Sequence, residues 1–284
     1  MSASVRAISR KPSMDRLGSH STNGGIAGTR LANRDFLSEE ELAALDAAVT
    51  ASRMLDAGAA LGREGEPTDS LYVLTTGWAC RYKTTREGAR QMPALLVPGD
   101  VCNLDNLMFG AANYGVRTLT PATVLTLPRE RALALSTRHP GIARTFTWLA
   151  LVENAILSQW ALCLGRQSAR ARLAHLLCEM SVRLGCPEGE SECRFDLPLT
   201  QEQIADVLGL TSVHVNRTIQ QLRTERLVTT DRRMMTIRDV AELRKVGEFD
   251  PAYLHDDRDE PGLRAGRSPT YHQQPSGAAS PLAL

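Results

Sequence analysis

The chain has 284 residues, too many for one small domain and enough for two with polar ends. Hydrophobic residues make up 43% and charged residues 23%, a globular composition that excludes wholesale disorder and fibrous architectures. Because the formal net charge is only +1, a nucleic-acid partner would have to be met by a local basic surface.

The two ends of the chain are polar and show no hydrophobic period. Residues 1–34 are rich in Ser, Gly, Arg and Asn, and residues 247–284 combine acidic residues with Pro, Gly, Ser and Gln. Such segments bury too little apolar surface to offset the entropy lost on ordering. We therefore predict a disordered basic arm over 1–34 and a disordered tail over 247–284.

Neither a secretory signal nor a membrane span is expected. The basic N-terminus is followed by Gly, Ser and Asn instead of the apolar core of a signal peptide. The most apolar stretch, Trp148 to Leu164, is interrupted by polar residues such as Glu153 and Asn154. These features predict a cytoplasmic protein.

The six cysteines form no C-x-x-C pair and have no histidine at metal-ligand spacing. They are Cys80, Cys102, Cys163, Cys178, Cys186 and Cys193. We expect reduced, mostly structural thiols and neither a metal nor a cofactor. The alternative is a zinc or iron–sulfur site assembled from distant cysteines.

From about Met54 to Pro128, glycines separate short runs rich in β-branched and aromatic residues, such as those beginning at Leu71, Trp78 and Ala122. Strands of this length and spacing predict a small barrel or sandwich. The segment from Thr84 to Ala89 is typical of a hairpin tip, because Gly88 can adopt the positive φ that closes the turn.

After Pro140 the apolar residues recur every three or four positions, which predicts a long helix over residues 139–166. One side carries Ile142, Phe146, Leu149, Val152, Ile156, Trp160 and Cys163, and a second flank carries Trp148, Leu151, Leu157 and Leu162. A helix of about 25 residues spans roughly 38 Å, more than one small barrel covers. One side is then expected on the barrel and the other on a second copy of the chain. The alternative is that both sides belong to the core of one subunit.

A further helix is expected from the N-cap Ser168 to the breaker Gly185. Beyond it, Thr200 and Gln203 form a capping box that starts a short helix, which Gly209 ends. Thr211 can cap the next helix, so two short helices meet across a tight turn. Ala205 is small where the helices approach, and Val215 is the packing residue of the second helix. This is helix-turn-helix spacing.

The second helix of this pair has an outer face suited to the major groove of DNA. It offers Arg217 for guanine edges or phosphate, Asn216 for adenine, and a small hydroxyl at Ser212. Leu227–Thr230 and Met234–Ile237 can form a hairpin wing whose tip arginines, Arg232 and Arg233, are placed to touch phosphate. From Leu210 to Arg238 six basic residues face two acidic ones, a local net charge of +4.

With these motifs in place, the chain resembles Crp/Fnr-type transcription regulators over roughly Phe36 to Ile237. The likeness rests on the barrel with Pro98-Gly-Asp and Tyr114-Gly-Val-Arg-Thr, on the long helix, and above all on the block from Leu199 to Val228. It implies an α+β fold with an N-terminal β-roll (a cyclic-nucleotide-binding-like jelly roll), a long dimerisation helix and a C-terminal winged helix-turn-helix. The corresponding boundaries are 35–138 for the sensor β-roll, 139–166 for the dimerisation helix and 167–246 for the DNA-binding domain.

The resemblance also implies partners and roles. Such regulators pair as homodimers through the long helix and read two-fold symmetric sites on double-stranded DNA. By this likeness Ser212, Val213, Asn216 and Arg217 contact bases, whereas Thr200, Gln201 and Thr211 lie toward the DNA backbone. We further expect an action on RNA polymerase, with the two DNA-binding domains moving about a hinge near Gly165 to Ser168.

The effector is not predicted by the sequence. Family members that bind cyclic AMP use a Gly-Glu pair after the Gly-Asp turn and an Arg followed by Ser or Thr; here the Gly-Glu is missing, although Arg117 and Thr118 could serve the phosphate. We therefore expect that cyclic AMP is not the effector and that Arg117 pairs with a surface carboxylate. A cyclic-nucleotide-responsive regulator using Arg117 and Thr118 remains the alternative. The clustered N-terminal cysteines of the oxygen-sensing branch are absent.

An enzyme is the remaining class to weigh. A small barrel also suits a metal-dependent cupin, which needs inward histidines. The six histidines stand at positions 20, 139, 175, 214, 255 and 272, none of them within the barrel. Nucleophile elbows, P-loops and Rossmann glycine motifs are absent too. The sequence predicts a DNA-binding regulator and no catalytic activity.

Overall fold

The computed structural model describes residues 25–32, 36–187 and 189–255. The predictions for residues 1–24, 33–35 and 256–284 therefore lie outside the described residues. Within the described part the elements follow one another as a helix, seven strands, three helices, and a mixed domain of helices and short strands.

The N-terminal half is the predicted β-roll. Helix α1 (Glu39–Ala48) precedes seven antiparallel strands, which are β1 (Ala51–Leu55), β2 (Ala60–Gly62), β3 (Ser70–Thr76), β4 (Ala79–Thr84), β5 (Arg90–Leu96), β6 (Gly115–Thr118) and β7 (Ala122–Pro128). They form a three-stranded sheet in the order β1-β7-β3 and a four-stranded sheet in the order β2-β6-β4-β5. Residues from both sheets, including Leu74, Val116 and Val124, share one core. The hairpin between β4 and β5 turns as predicted, with Gly88 at a φ of 87°.

Two helices follow the roll. Helix α2 (Arg129–Arg138) ends just before α3 (Pro140–Arg166), whose 27 residues match the predicted long helix. The first half of α3 buries Ile142, Phe146 and Leu149 in a core shared with α1, α2 and the three-stranded sheet. By length and composition alone α3 could cross a membrane. In this fold it instead packs along the roll with one face and joins it to the C-terminal domain.

The C-terminal domain contains every predicted element, one more strand and one more helix. Its elements are α4 (Ala169–Arg183), β8 (Cys193–Asp196), α5 (Gln201–Leu208), α6 (Ser212–Thr224), β9 (Val228–Asp231), β10 (Met234–Ile237) and α7 (Val240–Gly247). Strands β9 and β10 form the wing, and the unpredicted β8 adds to its other edge, in the order β8-β10-β9. The fold is thus the β-roll, long helix and winged helix-turn-helix expected from the sequence.

The C-terminal domain and the roll share one hydrophobic core. Trp78, Cys80 and Met92 of the roll belong to the same cluster as Leu176 and Leu208 of the C-terminal domain. A polar clamp lies at this contact, where Arg90 Nε donates to Asp206 Oδ2 at 2.6 Å and Gln91 Nε2 donates to the carbonyl of Val207 at 2.9 Å. The two domains are therefore docked on each other in this conformation.

Disorder at the chain ends was predicted too broadly. Residues 25–32 are ordered, because Ile26 and Leu31 are buried in the core of the roll. Residues 247–255 are ordered too, with Phe249 and Leu254 buried in the core of the C-terminal domain. The disorder prediction is wrong for these two segments, since a few apolar anchors hold otherwise polar stretches.

The expectation that all six cysteines are reduced is also wrong. Cys186 and Cys193 form a disulfide with a Cα–Cα distance of 6.0 Å. The other four cysteines are free and buried. No local motif indicated the pairing, because it depends on how the loop between α4 and β8 folds back on itself.

Candidate nucleic-acid interface

The helix-turn-helix is built by two side-chain caps and one glycine. Thr200 Oγ1 accepts from the amide of Gln203 at 3.1 Å, and the Gln203 side chain accepts from the amide of Thr200 at 2.8 Å. Gly209 ends α5 in the left-handed region with a φ of 62°, where a side chain would be strained. Thr211 then caps α6 by accepting from the amide of His214 at 3.2 Å. Each of these features was predicted from the sequence.

The two helices pack through small and apolar residues. Ala205, Leu208 and Val215 are buried between them, as the spacing indicated. The sequence analysis missed Thr218, which is buried and donates its hydroxyl to the carbonyl of His214 at 2.8 Å. A threonine whose hydroxyl bonds the preceding helical turn can be buried in the core. Its residue type alone does not indicate this burial.

Two arginines of α4 support the pair from behind. Arg172 Nη1 donates to the carbonyl of Leu208 at 2.6 Å, which satisfies the C-terminal end of α5. Arg170 forms a forked pair with Glu225 at the end of α6, with its shortest contact at 2.7 Å. The hydrogen bond from Arg170 lowers the pKa of Glu225. Sequence reasoning missed both arginines, since their partners lie 36 and 55 residues away.

The outer face of α6 is open to solvent. Ser212, Asn216 and Arg217 are exposed, and Val213 is 78% exposed. In the described part of the chain no side-chain hydrogen bond or ion pair engages Asn216 or Arg217. An arginine, an asparagine, a hydroxyl and a small apolar group without partners match the chemistry of base edges in the major groove, including the thymine methyl group.

The residues predicted toward the DNA backbone flank this face. Thr200 and Thr211 are exposed and use their hydroxyls as acceptors for the helix caps, which leaves each hydroxyl hydrogen free to donate to a phosphate. Gln201 is exposed at the first turn of α5. At the tip of the wing, Arg232 is exposed with a φ of 53°, and Arg233 is 3.6 Å from Asp196 in an exposed ion pair. Such a pair is weak enough to be exchanged for a phosphate.

Arg117 and Thr118, the two residues that could serve a cyclic phosphate in the alternative reading, have other partners in the structure. Thr118 is buried, and its hydroxyl donates to the carbonyl of Asp56 at 2.6 Å and accepts from the amide of Ala59 at 2.9 Å. The Arg117 guanidinium lies over the ring of Tyr82 at 5.5 Å. No carboxylate lies within ion-pair distance of Arg117 among the described residues, so the expected surface ion pair is not formed.

A charged pair that no sequence motif indicated joins the roll to α3. Arg81 of β4 forms a bidentate pair with Glu153 of α3, at 2.7 and 2.9 Å. The same guanidinium donates to the carbonyls of Val101 and Cys102 and lies over the ring of Tyr114. Four of the five N–H donors of Arg81 are thus used within the subunit. Across the described residues, no cluster of three or more His, Cys, Asp or Glu side chains could hold a metal ion.

An exposed helix face with unengaged polar side chains, beside a basic hairpin, is typical of a DNA-binding protein. Its attachment to a β-roll through a long helix is the architecture of a transcription regulator with a sensor-like domain. The family models for the Crp-like helix-turn-helix domain and the cyclic nucleotide-binding domain match residues 171–246 and 52–139.

Known proteins agree with this class. The transcriptional activator protein FnrL of Cereibacter sphaeroides is 30% identical over 208 residues, covering 72% of this chain and 83% of that protein. The transcriptional activatory protein AadR of Rhodopseudomonas palustris is 32% identical over 172 residues, covering 60% and 70% respectively. The structure of FixK2 from Bradyrhizobium japonicum superposes with a TM-score of 0.64 at 26% identity, covering 70% of this chain and 97% of that one. The chain belongs to the Crp/Fnr family and is a DNA-binding transcription regulator.

Proposed function

We propose that this regulator is a cytoplasmic homodimer that pairs through α3, reads a two-fold symmetric operator with α6, and acts on RNA polymerase. Crp/Fnr regulators bind DNA and act as dimers. The observation that carries the proposal for this chain is the unengaged outer face of α6. In the proposed complex, four residues contact bases: Ser212, Val213, Asn216 and Arg217. Five others contact the DNA backbone: Thr200, Gln201, Thr211, Arg232 and Arg233.

The dimer is supported by the uncovered flank of α3. Leu151 is 64% exposed, and Leu157 and Leu162 are 45% and 53% exposed, whereas the opposite face is buried within the subunit. Leu151 and Leu162 are separated by three helical turns and share one side of the helix. A row of exposed leucines on a soluble regulator is typical of a subunit interface. Pairing two copies through it would present α6 twice, at half-sites about 34 Å apart.

The interface is tested by sedimentation of the full chain. We expect the wild type to be a dimer and the variant Leu151→Glu/Leu162→Glu to be a monomer, because two charges on each subunit would then be buried without partners. Met54→Glu is the matched control, since Met54 is 84% exposed and lies on strand β1 of the roll. A dimer that survives the α3 substitutions would reject this interface.

DNA recognition is tested by selecting bound sequences from a random duplex library with the full chain. The expected result is a two-fold symmetric consensus, recovered by the wild type but not by Asn216→Ala/Arg217→Ala. Binding without any consensus would contradict base recognition by α6. Transcription in vitro from a promoter that carries the selected site, with purified RNA polymerase, then gives the sign of regulation.

For the sensor we propose that cyclic AMP is not the effector and that no resident cofactor is needed. This is supported by the engagement of Thr118 with the backbone and by the internal Arg81–Glu153 pair. The match to a cyclic nucleotide-binding domain keeps a cyclic-nucleotide-responsive regulator as the second candidate. Calorimetry with cyclic AMP and cyclic GMP decides between them, with micromolar binding favouring the second.

A further inference from the structure

The loop between α4 and β8 contains the pair of cysteines described above. Cys186 is half-buried between the exposed residues Gly185 and Pro187, and Cys193 is the first residue of β8. The amide of Cys186 donates to the carbonyl of Ser181 at 2.9 Å, and Cys193 is paired with Ile237 of β10. Both sulfur atoms are therefore held beside the wing sheet.

The remaining cysteines are chemically protected. Burial raises the pKa of Cys80 and Cys163 to about 11 and that of Cys102 and Cys178 to about 12. The thiolate is the reactive form of cysteine, so these four thiols are inert near neutral pH. The structure thus separates one bonded pair at a loop from four unreactive core residues.

A purely structural disulfide explains this pair poorly. The bond joins residues only seven positions apart, and short closed loops yield the smallest stabilisation from a cross-link. In the cytoplasm, where the proposed function places this regulator, disulfides are rare and are usually transient or redox-sensing. The surrounding domain is already held by a large hydrophobic core that it shares with the roll.

The pair is connected to the wing through β8. Asp196, at the other end of this four-residue edge strand, lies 3.6 Å from Arg233 at the wing tip. Two more contacts hold the same loop. The carbonyl of Ser191 accepts a hydrogen bond from the amide of Val240 at 3.0 Å, and Glu192 pairs with Arg238 at 2.8 Å. The disulfide thus closes the loop at one end of β8, and the other end of that strand pairs with Arg233 of the wing tip.

We propose that Cys186 and Cys193 form a reversible redox site that controls DNA affinity through the wing. The Cys186 thiolate attacks one oxygen of hydrogen peroxide and the O–O bond breaks, so that the sulfur becomes a sulfenic acid and the other oxygen leaves as hydroxide, which takes up the proton released by the thiol and becomes water. The Cys193 sulfur then attacks the sulfenic sulfur, forming the S–S bond and releasing a second water. Two electrons pass from the sulfurs to the peroxide, and a cellular dithiol restores both thiols by exchange. The oxidised form binds DNA more tightly, because its wing is ordered before binding.

The test uses the full chain treated with either hydrogen peroxide or dithiothreitol. Alkylation and peptide mass spectrometry should show Cys186 and Cys193 blocked after oxidation and labelled after reduction. Gel shifts on the selected operator at fixed salt should give at least a threefold higher affinity for the oxidised form. The double variant Cys186→Ser/Cys193→Ser should bind equally under both treatments.

Three results would overturn the proposal: both cysteines remaining alkylatable after oxidation, equal affinity of the two forms, or a redox response that persists in the double variant. If circular dichroism shows that the double variant is unfolded, Cys186→Ser alone replaces it, since it changes only a half-buried loop residue. Failure of both redox forms to bind DNA would instead reject the proposed function. The redox site and the DNA-binding function are thus tested separately.

Discussion

Polar side chains are exposed and, among the described residues, unpaired on the outer face of the recognition helix α6, whereas they are buried and paired at the junction between the two domains. On α6 the arginine and asparagine point to solvent and have no partner within the described subunit. At the junction, Glu179 is only 2% exposed, and its carboxylate accepts from Trp160 Nε1 and from the Tyr253 hydroxyl, both at 2.8 Å. It also pairs with Arg183 at 3.2 Å.

The junction network extends across the chain. Arg183 pairs with Asp100 of the roll at 2.5 Å, and Arg30 of the N-terminal segment lies 3.6 Å from the same carboxylate. Arg30 also donates to the carbonyl of Leu254 at 3.3 Å. Both ordered chain ends, the roll, the long helix and the C-terminal domain therefore meet at a few charges. Polar groups left open are available to another molecule, whereas buried charges that satisfy one another hold the domains together.

The largest effect is expected at Glu179. Glu179→Ala should lower the free energy of unfolding by about 3–5 kcal/mol, because it leaves Arg183 buried with part of its pairing lost. Urea unfolding of the full chain measures this. Glu242→Gln, which breaks an exposed pair with Lys245, is the control and should cost about 0–1 kcal/mol. If both changes lower the free energy of unfolding equally, the buried junction charges are no more important for stability than exposed ones.

The recognition helix should show the reverse pattern. Arg217→Ala should weaken operator binding by about 1–3 kcal/mol if the guanidinium makes a bidentate base contact, and should leave the unfolding free energy within about 0.5 kcal/mol of wild type. Gel shifts at fixed salt and urea unfolding give the two values. Arg223→Ala, an exposed arginine farther along the same helix, is the matched control and should lose less. Unchanged affinity of Arg217→Ala would exclude the proposed role.

The wing should contribute affinity without sequence preference. Arg232→Ala/Arg233→Ala should weaken binding to operator and unrelated DNA alike, and should reduce the slope of log K against log salt by roughly 2, because two phosphate contacts are lost. Titrations at several salt concentrations measure the slope. A loss confined to one base position of the operator would contradict phosphate contact.

The smallest effect is expected from pH at the junction. Burial lowers the pKa of His175, whose ring contacts the Gly247 carbonyl and the Tyr253 hydroxyl. Because the unfolded state then binds the proton more readily, His175 contributes full stability above its unfolded pKa of about 6.5 and loses it as pH falls through the folded value. Urea midpoints between pH 7.5 and 5.5 should fall less for His175→Gln than for wild type. Parallel curves would contradict the burial of a neutral imidazole.

The residues whose roles were predicted act on near neighbours in sequence, whereas most of those that were missed act on distant partners. The capping and turn residues act on neighbours within four positions, so local sequence patterns predict their roles. These residues are Thr200, Gln203, Gly209 and Thr211. The contacts of Arg81 with Glu153, of Asp100 with Arg183 and of Glu179 with Tyr253 join residues 72, 83 and 74 positions apart, and no local pattern distinguishes these charges from surface charges. Arg117 was misjudged for the same reason, because its environment over Tyr82 depends on how two strands pair.

The amino-acid sequence by itself determined the order of roll, long helix and helix-turn-helix, the helix caps, the turn at Gly209 and the polar face of α6, because propensity, capping and periodicity act over a few residues. Only the tertiary structure decided that both chain ends fold in part, that Arg81 pairs with Glu153 of α3, and that Cys186 bonds to Cys193. The first two outcomes depend on partners brought close by the packing of whole elements, and the disulfide depends on how the loop between α4 and β8 folds back, so none of them follows from a local sequence pattern.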